Sequence, residues 1–401
     1  MTPLRILLVI DYKLAYLGGA QTAFVQQALA LAAAGHTVTI AAPDASTQME
    51  LAAAGVTRWD SPVNFVIPVA DLPLVKNSAR TREILHQKMM EWQTDLVIAH
   101  SEFGLAAAAL EVAGERNVPS MHVVHTFFWR GPRIAAPAAQ LVTAAHSWIT
   151  GLAPSRRRLA SRRLDSALRG MTLTVAQTAD VVISPSHHQA SALRAAGLPN
   201  VTVISNTSQR LPRSAFISTT TGPLRLVWAA RFAPEKRLNI ALAAMVIVEE
   251  TLGSDAVVLD VAGGNTVRQA SDSVIFHGRI SSASVTQLLD VAHAAVITSY
   301  GFDNQPMIAI EAFRAGRPVI VSDHILATEF GTAAIATSDA TAKSLARTIL
   351  RLARNRDSLR APAAAAMRYA VQASGEQHTE EVEKAFLIAA RGRELAEFLH
   401  R

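Results

Sequence analysis

Cysteine is absent from this sequence of 401 residues, which excludes disulfide bonds and thiolate metal sites and is consistent with a reducing cytoplasm. Aromatic residues make up 5% of the chain and charged residues 17%, whereas hydrophobic residues make up 50%. The apolar run that opens the chain ends at Asp11, so it is too short to span a membrane, and it lacks the cleavage site of a signal peptide. We interpret it as the first buried strand of a globular protein.

Acidic residues are outnumbered by basic ones, which gives a net charge of +6 at pH 7. This excess indicates an anionic partner. The sequence has no helix-turn-helix signature, no zinc-finger spacing and no basic groove studded with aromatic residues, so we expect no nucleic acid partner. Nucleotide phosphates or an anionic membrane surface are the better candidates.

Short apolar runs alternate with Ala-rich stretches of helical character along most of the chain. Continuous runs of this kind are typical of strands that are covered on both faces of a parallel sheet. The predicted strands are residues 4–10, 37–42, 95–99, 120–124, 180–184, 201–205, 224–230, 256–263, 273–278, 294–299 and 318–322.

This alternation is interrupted at 207–223, a segment rich in Ser, Thr and Pro that is typical of a linker. We therefore predict an α/β protein with two doubly wound, Rossmann-like domains, at 1–206 and 224–375. In such folds the ligand binds beyond the carboxyl ends of the parallel strands. Functional residues are therefore expected in the loops that leave the strands.

Two such loops stand out in the first half. Gly18 and Gly19 precede a predicted helix whose N-terminal amides could receive an anion or a sugar hydroxyl; a tight strand-to-helix turn is the structural alternative. His125 ends the stretch "HVVH", where a histidine can exchange hydrogen bonds with a substrate near neutral pH. Most isolated histidines are packing residues, and His100, after another strand, is a weaker case of the same kind.

Basic residues cluster in the first loop of the second half. Arg231, Lys236 and Arg237 lie within seven residues, and a helix is predicted to begin near Lys236. Guanidinium and ammonium groups beside a helix N-terminus form a strong site for a diphosphate, whereas the structural alternative is a solvated basic turn. Gly263 and Gly264, in the next turn that leaves a strand, favour the diphosphate site.

Two carboxylates stand eight positions apart at a predicted strand–loop–helix junction, in the stretch "SYGFDNQPMIAIEAFRAGRPVIVSD". Pro306 bends the loop after Asp303, so the backbone amides that follow could point toward a ligand. Glu311 falls at least one turn into the helix, where a carboxylate can accept both hydroxyls of a ribose. An exposed Asp303 and a helix-capping Glu311 are the structural alternative.

Together and in this order, the four loops resemble those of the retaining glycosyltransferases of family 4, which have the GT-B architecture of two Rossmann-like domains facing a central cleft. The resemblance covers nearly the whole chain. It is most specific in 224–323, where "AARFAPEKRLNIALAA", "VAGG", "FHGRI" and "TSYGFDNQPMIAIEAF" follow the order of the family's donor domain. In the first half, "GGAQ", the histidine after a strand and "ADVVISPSHHQASALRAAGLPNVTVISN" also match in place.

The resemblance implies transfer of a sugar, with retention of configuration, from a UDP- or GDP-sugar to a hydroxyl of a glycan or lipid-linked acceptor. It implies that Arg231 and Lys236 hold the diphosphate, that Glu311 holds the ribose, and that the helix at about 376–401 returns to the first domain. The catalytic residues implied are His125, Arg231, Lys236 and Asp303. The donor-binding residues implied are Gly18, Gly19, Arg231, Lys236, Gly263, Asp303, Asn304, Gln305, Pro306, Met307 and Glu311, with Gly18 and Gly19 on the acceptor side.

The sequence departs from the family pattern at two positions. Asp303 stands where the family usually has Glu, and Gln21 stands where it often has an acidic residue. An Asp-x-Asp pair, the metal-binding signature of the other large glycosyltransferase architecture, is absent from the sequence. We therefore expect no metal and no cofactor, with Arg, Lys and a helix dipole stabilising the departing diphosphate and the nucleotide sugar acting as a substrate.

Two other functions remain open on the same architecture. One is a nucleotide-sugar epimerase, which needs no acceptor. The other is a non-catalytic relative that binds a nucleotide sugar or scaffolds a partner enzyme. The presence of Arg231, Lys236 and Glu311 together argues against the non-catalytic alternative.

The segment 130–171 predicts contact with an anionic membrane surface. Between Arg133 and Arg156 lie 22 residues without a fixed charge, and an arginine-rich stretch follows. The apolar residues of that stretch fall at helical spacing and leave the arginines mostly on the other faces, which is typical of a helix that lies on a membrane. The alternative is a pair of ordinary surface helices. The apolar residues of the pattern are Ala160, Leu164, Ala167, Leu168 and Met171, and the arginines are Arg156, Arg157, Arg158, Arg162, Arg163 and Arg169.

We expect a cytoplasmic protein, peripheral on the inner face of the membrane.

Overall fold

A computed structural model describes most of the chain, namely residues 2–15, 18–67, 72–131, 137–208, 222–265 and 271–400. The chain divides into two compact units: unit 1 comprises 1–209 and 375–401, and unit 2 comprises 210–374. The linker expected at 207–223 falls mostly on 209–221, which lie outside the described residues.

Unit 1 is built on a parallel sheet in the order β3-β2-β1-β6-β7-β8-β9, with a separate antiparallel hairpin of β4 and β5. Its strands are β1 (Arg5–Val9), β2 (Thr37–Ala42), β3 (Thr57–Asp60), β4 (Phe65–Ile67), β5 (Leu72–Leu74), β6 (Leu96–Ala99), β7 (Ser120–Val123), β8 (Val181–Ser184) and β9 (Val201–Val203). Its helices up to the crossover into unit 2 are α1 (Gly19–Ala33), α2 (Met49–Ala53), α3 (Ala79–Glu91), α4 (Gly104–Glu115), α5 (Pro137–Thr150), α6 (Arg163–Ala176) and α7 (His187–Ala195).

Helices cover both faces of this sheet, as β1 shows. Ile6 and Leu8 belong to one buried cluster, whereas Leu7 and Val9 belong to another. Successive side chains of a strand point to opposite faces, so a continuous apolar run is the pattern that a sheet between two helical layers requires.

Unit 2 is built on a second parallel sheet, in the order β12-β11-β10-β13-β14-β15. Its strands are β10 (Leu224–Ala229), β11 (Val257–Ala262), β12 (Val274–Gly278), β13 (Ala294–Ile297), β14 (Val319–Val321) and β15 (Ala334–Ala336). Its helices are α8 (Leu238–Leu252), α9 (Ser282–Val291), α10 (Met307–Arg314), α11 (His324–Phe330), α12 (Ala342–Arg354) and α13 (Arg360–Gln372), and α14 (Gly375–His400) follows them in the chain.

The last helix, α14, packs on unit 1. Val382, Ala385 and Ala389 are buried in the same hydrophobic cluster as β1. Near the end of the helix, Arg393 Nε donates to Asp180 Oδ2 at 2.8 Å. The C-terminal helix is therefore part of the core of unit 1.

The predicted fold class, two doubly wound Rossmann-like units, is confirmed. Every predicted strand is present, and its ends agree with the structure within two residues. The strands that the sequence patterns missed are β3, β4, β5 and β15. They are short and lie at a sheet edge or in the hairpin, so they lack the long buried apolar run on which the prediction depended.

The segment 130–171 folds differently from the predicted arginine-rich helix. Two helices, α5 and α6, are joined by non-helical residues at 151–162, so Ala160 precedes α6 instead of contributing to its apolar face. The described part of the chain contains no helix that is long and apolar enough to cross a membrane.

Two arginines of this segment bind the rest of unit 1. Arg162 donates to the carbonyl of Gly131 at 3.0 Å and pairs with Asp165 at 3.3 Å. The guanidinium of Arg169 lies 5.6 Å from the ring centre of Phe128, and burial lowers its pKa. These two charges therefore stabilise the fold, and they do not lie on an outward basic face.

Candidate active site

The loops of unit 2 that carry the predicted site leave neighbouring strands. Strand β10 lies between β11 and β13, so the chain order reverses at this point of the sheet. In doubly wound sheets, ligands bind at such a switch point, beyond the carboxyl ends of the strands. The loops after β10, β11 and β13 contain Arg231 and Lys236, Gly263, and Asp303, respectively.

The structure brings Lys236 and Asp303 into contact. Lys236 Nζ lies 2.5 Å from Asp303 Oδ1, and Ser299 Oγ donates to Asp303 Oδ2 at 2.5 Å. Both side chains of the ion pair are largely buried, with 18% of Lys236 and 9% of Asp303 exposed. The ammonium also lies 5.6 Å from the ring centre of Phe302. Hydrogen bonds from Lys236 and Ser299 thus fix both carboxylate oxygens of Asp303 in position.

In the basic turn after β10, one arginine is bound by other loops and another is exposed. Arg237 has a left-handed backbone (φ 53°) and donates to the carbonyl oxygens of Thr298 and Ala340 at 3.4 and 2.6 Å. It therefore ties the turn to two other loops. Arg231 is 64% exposed and pairs with Glu235 at 3.2 Å, so its guanidinium is accessible to a ligand.

Gly263 allows two of these loops to touch. Its φ is +119°, and a Cβ on it would lie 2.0 Å from the carbonyl oxygen of Ala230. Its N–H donates to the carbonyl of Gly278 at 2.8 Å. Only glycine combines this backbone conformation with this close approach, so the geometry assigns Gly263 a packing role, and donor contact by Gly263 stays a prediction.

The predicted residues after Asp303 lead into α10. Pro306 is the N-cap residue, Met307 begins the helix, and Glu311 is its fifth residue and half-buried. The amides of the first turn and the positive end of the helix dipole therefore lie next to the loop that carries Asp303. Asn304 and Gln305 are buried, and Gln305 Nε2 donates to the Tyr369 hydroxyl at 2.9 Å.

In unit 1, the chain order reverses between β1 and β6, which places the loops after β1, β6 and β7 at the corresponding edge. Gly18 is the N-cap of α1, and Gly19 is its first residue, so only Gly18 precedes the helix. A Cβ on Gly18 would lie 2.9 Å from Gln21 Oε1, whereas one on Gly19 would meet nothing within 4 Å. The Gln21 amide is the end of a flexible side chain and can move away, so steric crowding requires glycine at neither position.

His125, after β7, contacts the second histidine that the sequence singled out. Its Nε2 lies 2.9 Å from Nδ1 of the buried His100, whose Nε2 lies 2.6 Å from Gln27 Oε1. Burial lowers the pKa of His125 to about 3 and that of His100 well below its usual value. Both rings are therefore neutral at pH 7.

Two buried carboxylates lie at the same edge of unit 1 and were not predicted as site residues. Asp11 accepts from Ser101 Oγ at 2.7 Å and from the amide of Leu105 at 2.8 Å, which caps the start of α4. Burial raises the pKa of Glu102 to about 7, and a hydrogen bond from Tyr12 opposes the shift. Their positions two and three residues after the ends of β1 and β6 were the available signal, but Asp11 was interpreted only as the end of a strand.

The described ranges contain no group of three or more His, Asp or Glu side chains arranged to hold a metal ion.

Two family descriptions match the chain in sequence order. Residues 17–207 match Glycosyltransferase Family 4, and residues 223–355 match Glycosyl transferases group 1. The chain belongs to the family 4 glycosyltransferases and has the GT-B architecture. The resemblance stated from its motifs is thereby confirmed. No curated protein sequence matches this glycosyltransferase.

Several solved structures share the fold of this glycosyltransferase at low identity. HepE from Anabaena, in complex with UDP and glucose, is 15% identical, with a TM-score of 0.66 over 94% of this chain and 98% of that one. The pneumococcal O-GlcNAc transferase GtfA, in complex with UDP and GlcNAc, is 12% identical, with a TM-score of 0.66 over 96% and 99%. Sucrose-phosphate synthase from Thermosynechococcus elongatus is 16% identical, with a TM-score of 0.58 over 98% and 99%.

Proposed function

We propose that this glycosyltransferase moves a sugar from a UDP-sugar to a hydroxyl of a glycan acceptor, with retention of configuration and without a metal ion. The observation that carries the proposal is the contact between Lys236 and Asp303 at the switch point of unit 2, with the exposed Arg231 on the same loop as Lys236. Uridine is favoured over guanosine because HepE and GtfA were solved with UDP. A GDP-sugar is the alternative donor.

Two cations, Lys236 and Arg231, stabilise the negative charge that develops on the diphosphate as the donor reacts. The bond between the anomeric carbon and the diphosphate oxygen breaks, and Lys236 and Arg231 neutralise the departing diphosphate. The acceptor oxygen bonds to the anomeric carbon on the face that the diphosphate leaves, and the acceptor proton passes to the diphosphate. Asp303, held by Lys236 and Ser299, orients the sugar hydroxyls and forms no covalent bond. Glu311 accepts the ribose hydroxyls.

Unit 1 binds the acceptor and supplies His125 to the transferred sugar. A groove of about 750 Å³ between α5 and α6 supports a glycan acceptor, because Trp148, Thr143, Ser147 and Arg163 line it. Aromatic faces, hydroxyls and a guanidinium are the groups that bind sugar rings and their hydroxyl or acidic substituents.

A donor screen tests the proposal. The protein is mixed with UDP- and GDP-sugars, and released nucleotide and the fate of the sugar are measured with and without candidate acceptor glycans. We expect UDP release that depends on an acceptor, with a product of retained configuration. Sugar conversion without any acceptor would indicate an epimerase, and donor binding without turnover would indicate a non-catalytic relative.

We further propose that the acceptor is lipid-linked and that unit 1 contacts an anionic membrane on its cytoplasmic face. Leu141 and Trp148 of α5 are 69% and 56% exposed, and Arg156, Arg158 and Arg163 are exposed nearby in sequence. Exposed Trp and Leu beside basic residues are typical of surfaces that bind the membrane interface. Flotation with vesicles of graded anionic-lipid content, at low and high salt, tests this. Absence of binding at low salt would leave a soluble glycan as the acceptor.

A further inference from the structure

A chain of hydrogen bonds connects His125 to the C-terminal helix. His125 Nε2 contacts His100 Nδ1 at 2.9 Å, and His100 Nε2 contacts Gln27 Oε1 at 2.6 Å. Gln27 Nε2 contacts His378 Nε2 at 2.8 Å, and His378 Nδ1 contacts the carbonyl oxygen of Ser205 at 2.8 Å. His100, Gln27 and His378 are at most 6% exposed. We refer to these four side chains, His125, His100, Gln27 and His378, as the histidine relay.

The far end of the relay determines the direction of every hydrogen bond in it. A carbonyl oxygen only accepts, so His378 Nδ1 must carry a proton and donate to Ser205. Burial lowers the pKa of His378 to about 4, so the ring is neutral at pH 7 and its Nε2 can only accept. Gln27 therefore donates to His378 with its amide nitrogen and presents its oxygen to His100.

The same logic continues to His125. His100 must donate from Nε2 to the Gln27 oxygen, and because the ring is neutral, its Nδ1 can only accept. The donor to His100 Nδ1 is then His125 Nε2. In a neutral ring, the second nitrogen of His125, Nδ1, carries a lone pair and acts as an acceptor.

The reverse direction is not compatible with the buried surroundings. If the amide of Gln27 were turned, its oxygen would need a proton from His378 Nε2, while Ser205 would still need one from Nδ1. His378 would then be a charged ring at a site where burial disfavours the charge. One tautomer therefore satisfies all four members.

We propose that Gln27, His100 and His378 are positioning residues that hold His125 in the tautomer protonated at Nε2, with Nδ1 as a hydrogen-bond acceptor. The C-terminal helix thus contributes to the chemistry of a loop on β7, far away in the sequence. A side chain that fixes the tautomer and the orientation of a functional histidine typically affects activity 10–100-fold in metal sites, so we expect an effect of about tenfold here. Only the role of His125 in transfer rests on the proposed function, because the protonation pattern does not.

The tautomers of the relay histidines can be measured directly by NMR. Spectra that correlate ring protons with both ring nitrogens of 15N-labelled histidine distinguish protonation at Nε2 from protonation at Nδ1. In the full-length protein at pH 7, we expect His125 and His100 to be protonated at Nε2 and His378 at Nδ1. Single substitutions assign the signals. A wild-type His125 or His100 protonated at Nδ1 would overturn the inference, whether or not transfer is observed.

Two substitutions at one position separate positioning from packing. His378→Leu removes the end of the relay, so the tautomers of His100 and His125 should become mixed and turnover should fall about tenfold. His378→Gln can still donate to Ser205 and accept from Gln27, so it should restore both the pattern and most of the turnover. Unchanged tautomers and turnover in His378→Leu would refute the positioning role.

His36, in the turn between α1 and β2, provides a matched control that contacts the same helix, α14. It is buried, and its Nε2 lies 3.4 Å from Glu383 of α14, but it is not a member of the relay. His36→Leu should therefore lower stability without changing the His125 signal; if it changed that signal as His378→Leu does, general loosening of α14 would replace the relay as the explanation. The predicted pattern in a wild-type protein that turns over no donor would support the relay and refute only the proposed function.

Discussion

The ion pair of Lys236 and Asp303 joins the loops after β10 and β13. A largely buried pair with short contacts is weak evidence for stability, because desolvation offsets much of the attraction, but removing one partner leaves a buried charge without compensation. Asp303 keeps the hydroxyl of Ser299 as a second donor. The pair is therefore suited to holding Asp303 in place, and in the proposed mechanism Lys236 also binds the donor diphosphate.

Replacement of Lys236 should impair transfer strongly and should also lower stability, because it leaves the carboxylate of Asp303 buried without its cation. Lys236→Ala removes a charge-assisted contact to the departing diphosphate, which corresponds to roughly 2–4 kcal/mol of transition-state stabilisation, or about 10²–10³-fold in kcat. Steady-state kinetics with the true donor, beside thermal unfolding, measure both effects. Lys384→Ala, on the exposed face of α14, is the matched control and should have normal kinetics. Near-normal turnover of Lys236→Ala would show that the phosphate site is misplaced.

Glu311 should recognise the ribose of the donor. Glu311→Gln keeps the shape but loses the charged acceptor, so UDP should bind about 10–100-fold more weakly, as expected for a hydrogen bond to a charged group. Calorimetric titration with UDP and with 2′-deoxy-UDP distinguishes this role from a structural one. The wild type should discriminate between the two ligands, and the variant should largely lose that discrimination. Equal discrimination in both proteins would mean that Glu311 does not contact the 2′-hydroxyl.

At the scale of the element, the N-terminus of α4 is packed closely against neighbouring backbone. A Cβ on Gly104 would lie 2.0 Å from the carbonyl oxygen of Val75 and 2.9 Å from that of Ile149. The helix begins two residues after Glu102 and is capped by Asp11, so its position also determines where these two carboxylates lie. Gly114, near the other end of the same helix, has open space around it.

This difference predicts opposite effects for one substitution at two positions of α4. Gly104→Ala forces backbone apart and should destabilise unit 1 by several kcal/mol, beyond the 1–3 kcal/mol usual for overpacking. Gly114→Ala should stabilise it by about 0.5–1 kcal/mol, because alanine is the better helix former. Urea denaturation of the two variants checks this. Similar stability of both would mean that the loop at Val75 yields easily to an added methyl group.

The sequence predicted elements well where local pattern and burial coincide, and poorly elsewhere. The run Ile6–Val9 is apolar at every position because both faces of β1 are covered, so the strand was readable. β3 was missed because it is an edge strand whose residues are half-buried or exposed. In the same way, motifs in loops identified Lys236 and Asp303 as candidate site residues, although not their contact with each other. The contact of Gln27 with His378 depends on α14 returning to unit 1 and leaves no local signal.

At the scale of the whole molecule, buried ionisable groups in unit 1 determine how stability depends on pH. Burial lowers the pKa of His122 and His378 to about 4 and that of His125 to about 3, from about 6.5 in the unfolded chain. As the pH falls below 6.5, the unfolded chain binds protons that the native state does not, so the histidines make unit 1 less stable. Glu102, with a pKa of about 7 against 4.5, acts in the opposite direction between these values. Several histidines outweigh one carboxyl, so on the balance of these groups the stability of unit 1 should level off above about pH 7 and fall as the pH is lowered.

Substitution of His378 allows the contribution of one buried histidine to this pH dependence to be measured. His378 should account for roughly 2–3 kcal/mol of the stability that unit 1 loses between pH 7 and pH 4.5, because its pKa falls by about 2.5 on folding and each unit corresponds to about 1.4 kcal/mol. His378→Gln keeps the hydrogen bonds but cannot titrate, so its free energy of unfolding should fall by that much less on acidification. Urea denaturation followed by tryptophan fluorescence reports unit 1 alone in a Trp228→Phe background, since the other four tryptophans lie in that unit: Trp59, Trp92, Trp129 and Trp148. If the free energy of unfolding changed equally with pH in the His378→Gln protein and its parent, His378 would not be held neutral by burial. The direction assigned to the hydrogen bonds of the relay would then be unsupported.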